Sequence, residues 1–313
     1  MRKVIGIGET VFDIIFKNDQ PVNATPGGST YNSMISVGRS GIPAVFISET
    51  GDDRVGRQIR RFLEQNGVSS KCVCIHKGQK SALSLAFLND QNDAEYAFYK
   101  DHANDRLDFD YPDIQKDDVV LFGSFYAINP VVRRQVKDFL EYAKSHGAIL
   151  YYDINFRASH KCDAQILMPN ICENLQLADV VRASHEDCHI LFESVDAESL
   201  YRTRISPYTS HFICTRGADP AELYTNHGMR RQYPVKPVQT VSTIGAGDSY
   251  NAGFACGLIR YGITRQQIAE GLPLSQWDGL FACAQAFSAN VCQSVFNYID
   301  PGFGKDVLEF PLH

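Results

Sequence analysis

Residues 240–254 read Thr-Val-Ser-Thr-Ile-Gly-Ala-Gly-Asp-Ser-Tyr-Asn-Ala-Gly-Phe. Of all the segments in the chain, this one has residue types and spacing best suited to chemistry. Gly245, Ala246 and Gly247 are tiny residues directly ahead of a run with helical character. Small residues let the backbone turn sharply so that successive N–H groups converge. A helix N-terminus adds partial positive charge at the same place. Together they make an anion hole suited to a phosphoryl group in transfer. Asp248 then falls in the first helical turn, where a carboxylate can take the proton of an attacking hydroxyl. Taken alone, Gly-Ala-Gly-Asp also describes a plain loop closed by an N-cap aspartate.

A second constellation competes. His185-Glu-Asp-Cys-His189 fits the H-E-x-x-H spacing, which on a helix sets two imidazoles on one face as zinc ligands. A third ligand is not evident in context, Glu193 and Glu198 being the only nearby candidates. A zinc hydrolase is therefore the remote alternative, and no resident metal site is assigned.

The frame that must position these residues is legible in the hydrophobic pattern. Strand-like runs at 119–122, 148–153, 180–182 and 212–215 alternate with helical ones at 130–146, 186–192, 248–261 and 277–292, after a first strand at 4–8. Such alternation implies βαβ units and a buried, mainly parallel sheet. Strands at 11–16, 82–88 and 94–99 do not fit it, and the last two are joined by the polar turn Asn89-Asp-Gln-Asn-Asp93. They suggest a small β-sheet lid on a single domain spanning 1–313. Hydrophobic residues at 44% and charged residues at 21% suit a globular chain long enough to bury its own core. A net charge of −6 argues against a nucleic-acid partner. No run approaches the length of a membrane span and no signal peptide is read at the start, so a cytoplasmic protein without membrane association is expected. The nine cysteines form no C-x-x-C pair and read as reduced, mostly buried thiols.

Gly245-Ala-Gly-Asp248 followed by Asn251-Ala-Gly-Phe254 resembles the C-terminal signature of the ribokinase-like (PfkB) carbohydrate kinases, and Pro26-Gly-Gly-Ser-Thr-Tyr-Asn32 resembles their N-terminal one. Gly8-Glu-x-x-x-Asp13, Thr50-Gly-Asp-Asp53, Asp153-x-Asn155-x-Arg157 and Thr215-x-Gly217 follow in family order. The resemblance implies an α/β ribokinase-like fold, with a central mainly parallel sheet flanked by helices and a small β lid over the sugar. It implies ATP as phosphoryl donor with Mg²⁺, a small sugar as acceptor, Asp248 as base and the Gly245–Gly247 backbone as anion hole. Asp13, Gly27, Gly28 and Asn32 would face the sugar, and Arg157 would stand at a strand end beside the phosphate. Ser184, Asp187, Thr215, Gly217 and Cys283 would lie on the nucleotide side. Tyr96-Ala-Phe98-Tyr99, His102-Ala103-x-Asp105 and Phe122-Gly-Ser-Phe125 resemble fructokinase-type members, with Phe98 closing over a fructose-like sugar. Pairing of lids into a homodimer is common in such folds.

The departures from the family pattern gather on the nucleotide side. Ser242 replaces the aspartate that opens the C-terminal signature and helps hold a monovalent cation. Pro220 ends the Thr-x-Gly loop, and Ser184-x-x-Asp187 stands for Asn-x-x-Glu. Cys283 interrupts Phe281-Ala-Cys-Ala284, and Ser294-Val295 replaces Gly-Ala. An active kinase is the favoured reading, and a catalytically weak sugar- or nucleotide-binding regulator on the same fold is the alternative.

Overall fold

The apolar run Val4–Ile7 forms the first strand, β1, at the centre of a nine-stranded sheet. The computed structural model describes residues 1–88, 94–99, 107–193 and 196–304. In chain order the remaining strands are β2 (Val11–Lys17), β3 (Gln20–Gly27), β4 (Ala44–Gly51), β5 (Val68–His76), β6 (Leu83–Leu88), β7 (Ala94–Tyr99), β8 (Val119–Gly123), β9 (Ile149–Asp153), β10 (Val180–Ser184), β11 (His211–Arg216), β12 (Asp219–Thr225) and β13 (Arg230–Tyr233). The helices are α1 (Ser29–Arg39), α2 (Arg54–Gln65), α3 (Arg133–Ser145), α4 (Ala164–Leu177), α5 (His185–Phe192), α6 (Ala197–Leu200), α7 (Ala246–Arg260), α8 (Arg265–Glu270) and α9 (Leu274–Cys292).

The large sheet runs β13-β12-β11-β10-β9-β8-β1-β4-β5 and is parallel except where β12 and β13 turn back as antiparallel neighbours. Both faces of its centre are covered, so the central strands β1, β8 and β9 are buried along their whole length. Val4, Phe46, Leu121, Tyr151 and Ile213 pack with Met34 of α1, Phe254 of α7 and Phe281 of α9. Ile5, Ile47, Val120, Phe122 and Tyr152 pack on the other side with Phe139 of α3 and Ile171 of α4. β1 lies between β4 and β8, which succeed it in opposite directions along the sheet. That reversal opens a crevice at the carboxyl ends of the strands, the place where open α/β sheets bind ligands.

The strands that broke the alternation form a separate four-stranded sheet, β3-β2-β6-β7. Its register sets Thr25, Asp13, Ser84 and Phe98 side by side in one row, and paired residues in a row point to the same face. The turn expected at 89–93 lies outside the described residues, as do His102, Ala103 and Asp105.

Candidate active site

Two helix N-termini converge at the crevice. α1 starts after Gly28 and α7 after Gly245, and neither has a side-chain cap. Gly28 sits at φ 126°, where a Cβ would lie 2.5 Å from the Glu9 carbonyl oxygen, so only glycine starts the helix there. Gly245 is left-handed, at φ 78° and ψ −1°. The Ala246 N–H donates to the Thr243 carbonyl at 3.2 Å. The N–H groups of Gly247 and Asp248 have no partner of this kind among the described residues, as the opening turn of a helix dictates. They leave the N-terminal end of α7 open, with the partial positive charge of a helix start.

Asp248 is fastened by α1. Ser29 Oγ donates to its Oδ1 at 2.7 Å and Asn32 Nδ2 to its Oδ2 at 3.0 Å. Behind Ser29, Asn155 Nδ2 donates to Ser29 Oγ at 2.8 Å. Asn155 adopts φ 37°, an uncommon conformation for a residue with a side chain and one that marks a position fixed by its surroundings. Ser33 Oγ donates to the Asp248 carbonyl at 2.8 Å. Burial pushes the Asp248 carboxyl above its ordinary value; the Asn32 amide, the Ser29 hydroxyl and the Arg157 charge pull the other way, and Asp153 adds to the rise. A carboxylate raised in this manner is a better proton acceptor.

Asp13 stands opposite, on the row of the small sheet that carries Ser84 and Phe98. Burial pushes its carboxyl up to about 6, against the neighbouring Ser84 hydroxyl and the Arg157 charge, with Glu9 adding to the rise. A Cβ on Gly27 would lie 2.2 Å from Asp13 Oδ2. Arg157 is exposed, and its positive charge acts on both Asp13 and Asp248. Asn32 is 6% exposed, and its Oδ1 is buried without a partner while its Nδ2 holds Asp248. Phe98 is 60% exposed at the edge strand of the small sheet.

Beyond the end of β10 and β11 a cleft of about 320 Å³ is lined by Ser184, His185, Glu186, Thr215, Arg216, Gly217 and Asp219. Ser184, Thr215 and Gly217 therefore share one cavity. Asp187 does not open onto it. Its Oδ1 accepts from the Phe156 N–H at 2.8 Å, and its Oδ2 accepts from the Ser184 N–H and Oγ in a capping box that starts α5. Cys283 is not brought to the cleft either: it lies 2% exposed in the core, with its thiol 3.1 Å from the Tyr261 hydroxyl. In the H-E-x-x-H segment, His185 lines the cleft and His189 faces solvent. No group of three or more His, Cys, Asp or Glu among the described residues is placed to hold a metal ion. No helix among them is long and apolar enough to cross a membrane.

Residues 1–295 match the family described as pfkB family carbohydrate kinase. The chain belongs to that family. It is similar to fructokinase-2 of Solanum lycopersicum, 30% identical over 233 residues that cover 72% of this chain and 70% of the relative. It is also similar to 5-dehydro-2-deoxygluconokinase of Geobacillus thermodenitrificans, 28% identical over 288 residues, 88% of this chain and 82% of the relative. Among solved structures, the fructokinase of Vibrio cholerae bound to fructose, ADP and a calcium ion matches with a TM-score of 0.82 at 20% identity, over 95% of this chain and 94% of that one. Aminoimidazole riboside kinase of Salmonella enterica, bound to aminoimidazole riboside and an ATP analogue, matches with a TM-score of 0.79 at 21% identity, over 99% and 97%. The expected ribokinase-like architecture is thus the one observed, and this pfkB-family chain is a carbohydrate kinase. The sequence did not mark Ser29 and Ser33 as partners of Asp248, nor Asn155 as the partner of Ser29 behind it. Ser29 and Asn155 sit inside quoted motifs, and their small polar side chains were the available signal.

Proposed function

We propose that the protein transfers the terminal phosphoryl group of ATP to a hydroxyl of a small carbohydrate, with a fructose-like sugar favoured. The observation that carries this reading is the Asp248 carboxylate, fixed by Ser29 and Asn32 at the open N-terminus of α7. The sugar would lie between that carboxylate and the Asp13 row of the small sheet. There Asp13 accepts from its hydroxyls. The attacking hydroxyl gives its proton to Asp248 as the oxygen–phosphorus bond forms. The N–H groups of Gly247 and Asp248 receive the charge that gathers on the phosphoryl oxygens, and Arg157 offsets it from the open side. The donor would extend from this point into the cleft at Ser184, Thr215 and Gly217. Mg²⁺ would arrive on the nucleotide, since that ion keeps several waters and is held by phosphate oxygens rather than by an all-protein cage. The inward-turned Asp187 leaves its place as a nucleotide residue to indirect support, by starting α5 and so setting Ser184.

A coupled ADP-release screen over neutral ketoses, aldoses and sugar acids, with and without K⁺, tests the reading. Turnover on at least one sugar that is lost in Asp248→Asn supports it. Sugar binding with no turnover on any acceptor would favour the regulatory alternative, to which the inward placement of Asp187 and Cys283 lends its weight.

A further inference from the structure

Arg182 is a charged residue in the middle of an apolar strand, Val180-Val-Arg-Ala-Ser184, and only 7% of it is exposed. Its guanidinium reaches across three elements. Nη1 donates to Asp153 Oδ1 at 3.0 Å at the end of β9, Nη2 donates to Thr215 Oγ1 on β11, and the group packs 3.2 Å from where a Cβ on Gly247 would stand. Asp153 is anchored in turn, because Asn251 Nδ2 of α7 donates to its Oδ2 at 2.7 Å, and Tyr151 donates to Asn251 Oδ1 at 3.1 Å. The pair Arg182–Asp153 is thus tied to α7 through Asn251 and to β11 through Thr215, while Arg182 Nε is buried without a partner. The nearby negative charges of Asp153 and Asp187 keep the arginine charged in spite of the burial that opposes it.

A guanidinium has donors only. Thr215 Oγ1 must therefore accept from Arg182, and its own O–H proton has to point elsewhere. Thr215 lines the 320 Å³ cleft. We propose that Arg182 is a positioning residue for the donor nucleotide: it fixes the Thr215 hydroxyl as a hydrogen-bond donor aimed into the cleft, where a phosphate or ribose oxygen accepts from it. The proposal rests on the reading above that the donor occupies that cleft. A threonine without this partner is free to rotate and to present a lone pair, which repels a phosphate oxygen. The arginine removes that alternative before the ligand arrives, and a charge-assisted contact on Oγ1 also makes the hydroxyl a stronger donor.

The test is binding of the imido analogue of ATP, with Mg²⁺, measured by calorimetry on the full chain. Thr215→Val should weaken it about tenfold and Thr215→Ser should keep it, the scale of one hydrogen bond to a charged group. Arg182→Lys should cost about tenfold by itself but less than about threefold in the Thr215→Val background, because the hydroxyl it orients is gone. The KM for sugar should stay within about twofold. Equal losses in the two backgrounds overturn the proposal, and so does a lower Tm with donor affinity untouched. Analogue binding unchanged in Thr215→Val would overturn the cleft reading together with the proposal. If Arg182→Lys does not fold, the pair Arg182→Met with Asp153→Asn removes both members of the ion pair and leaves neither without its counter-charge. Its coupling to Thr215→Val then decides in the same way.

Discussion

Asp13 Oδ2 fills the space that a side chain on Gly27 would need, 2.2 Å from the ideal Cβ position. The Asp13 carboxylate, proposed above to meet the acceptor, and the first glycine of the Gly-Gly signature are thus one packing unit. Gly27→Ala is expected to push the carboxylate aside and raise the KM for sugar at least about tenfold, the cost of mispairing one charged hydrogen-bonding group. The KM for ATP should hardly move. A sugar KM within about twofold of the parent would show that Asp13 does not serve the acceptor.

Asp13→Asn separates function from stability. Burial pushes the Asp13 carboxyl up to about 6 in the folded chain, above the usual carboxylate range. A carboxyl raised on folding costs the native state above the folded value and costs nothing below the unfolded one. Asp13→Asn should therefore raise the Tm at pH 8, with the gain fading as the pH falls through 6 towards 4. Sugar binding should weaken far more than nucleotide binding. Differential scanning fluorimetry across pH, beside calorimetry with each ligand, checks both statements.

Asp248→Asn keeps the shape of the base and removes its basicity. The expected loss in kcat is on the order of 10²–10⁴, with little change in sugar affinity. Because burial lifts the Asp248 carboxyl and Ser29 opposes that lift, the acidic limb of kcat should lie above the usual carboxylate range. Ser29→Ala should move the limb to still higher pH. A limb that stays in place in Ser29→Ala would detach Ser29 from the base.

His189 projects into solvent from α5, away from the cleft that His185 lines. His189→Ala should keep turnover within about twofold. Excess EDTA should abolish turnover, and Mg²⁺ alone should restore it fully in parent and variant alike. Restoration that needs Zn²⁺ would revive the H-E-x-x-H reading.

Ser242 Oγ accepts from the Ile244 N–H at 3.2 Å, so one of its lone pairs serves its own turn, and the hydroxyl brings no charge. Replacing Na⁺ by K⁺ should change kcat/KM by less than about threefold, or about 0.7 kcal/mol. Tenfold activation by K⁺ would mean that other oxygens rebuild a cation site.

The α/β alternation was legible because a doubly covered parallel sheet forces unbroken apolar runs such as Val119–Gly123. β3 was not, since Gln20-Pro-Val-Asn-Ala-Thr at a sheet edge leaves most of its side chains exposed and shows no alternation. α4 was masked by Pro169 inside it. In the site, Asp248 and its three small neighbours could be read directly, because a helix opening writes its needs into adjacent residues. What adjacency cannot show is a partner from another element. Asn32 was expected to face the sugar, yet half of its amide is committed to Asp248. The backbone of Asn155 at φ 37° has no sequence mark beyond asparagine's tolerance of that region. Arg182 does carry a mark, a lone charge in a buried strand.

Ser29 and Asn32 meet Asp248 across sequence separations of 219 and 216, and Ser36 meets Ser249 across one of 213. During synthesis, α1 leaves the ribosome long before α7 exists. Until then Met34 and Ile35 lack the α7 and α9 residues that share their core in the finished protein. The growing chain must carry that apolar surface through most of its translation, a period in which chaperone capture competes with aggregation. The candidate site cannot form in pieces, because Asp248 and the α1 side chains that hold it come from opposite ends of the chain.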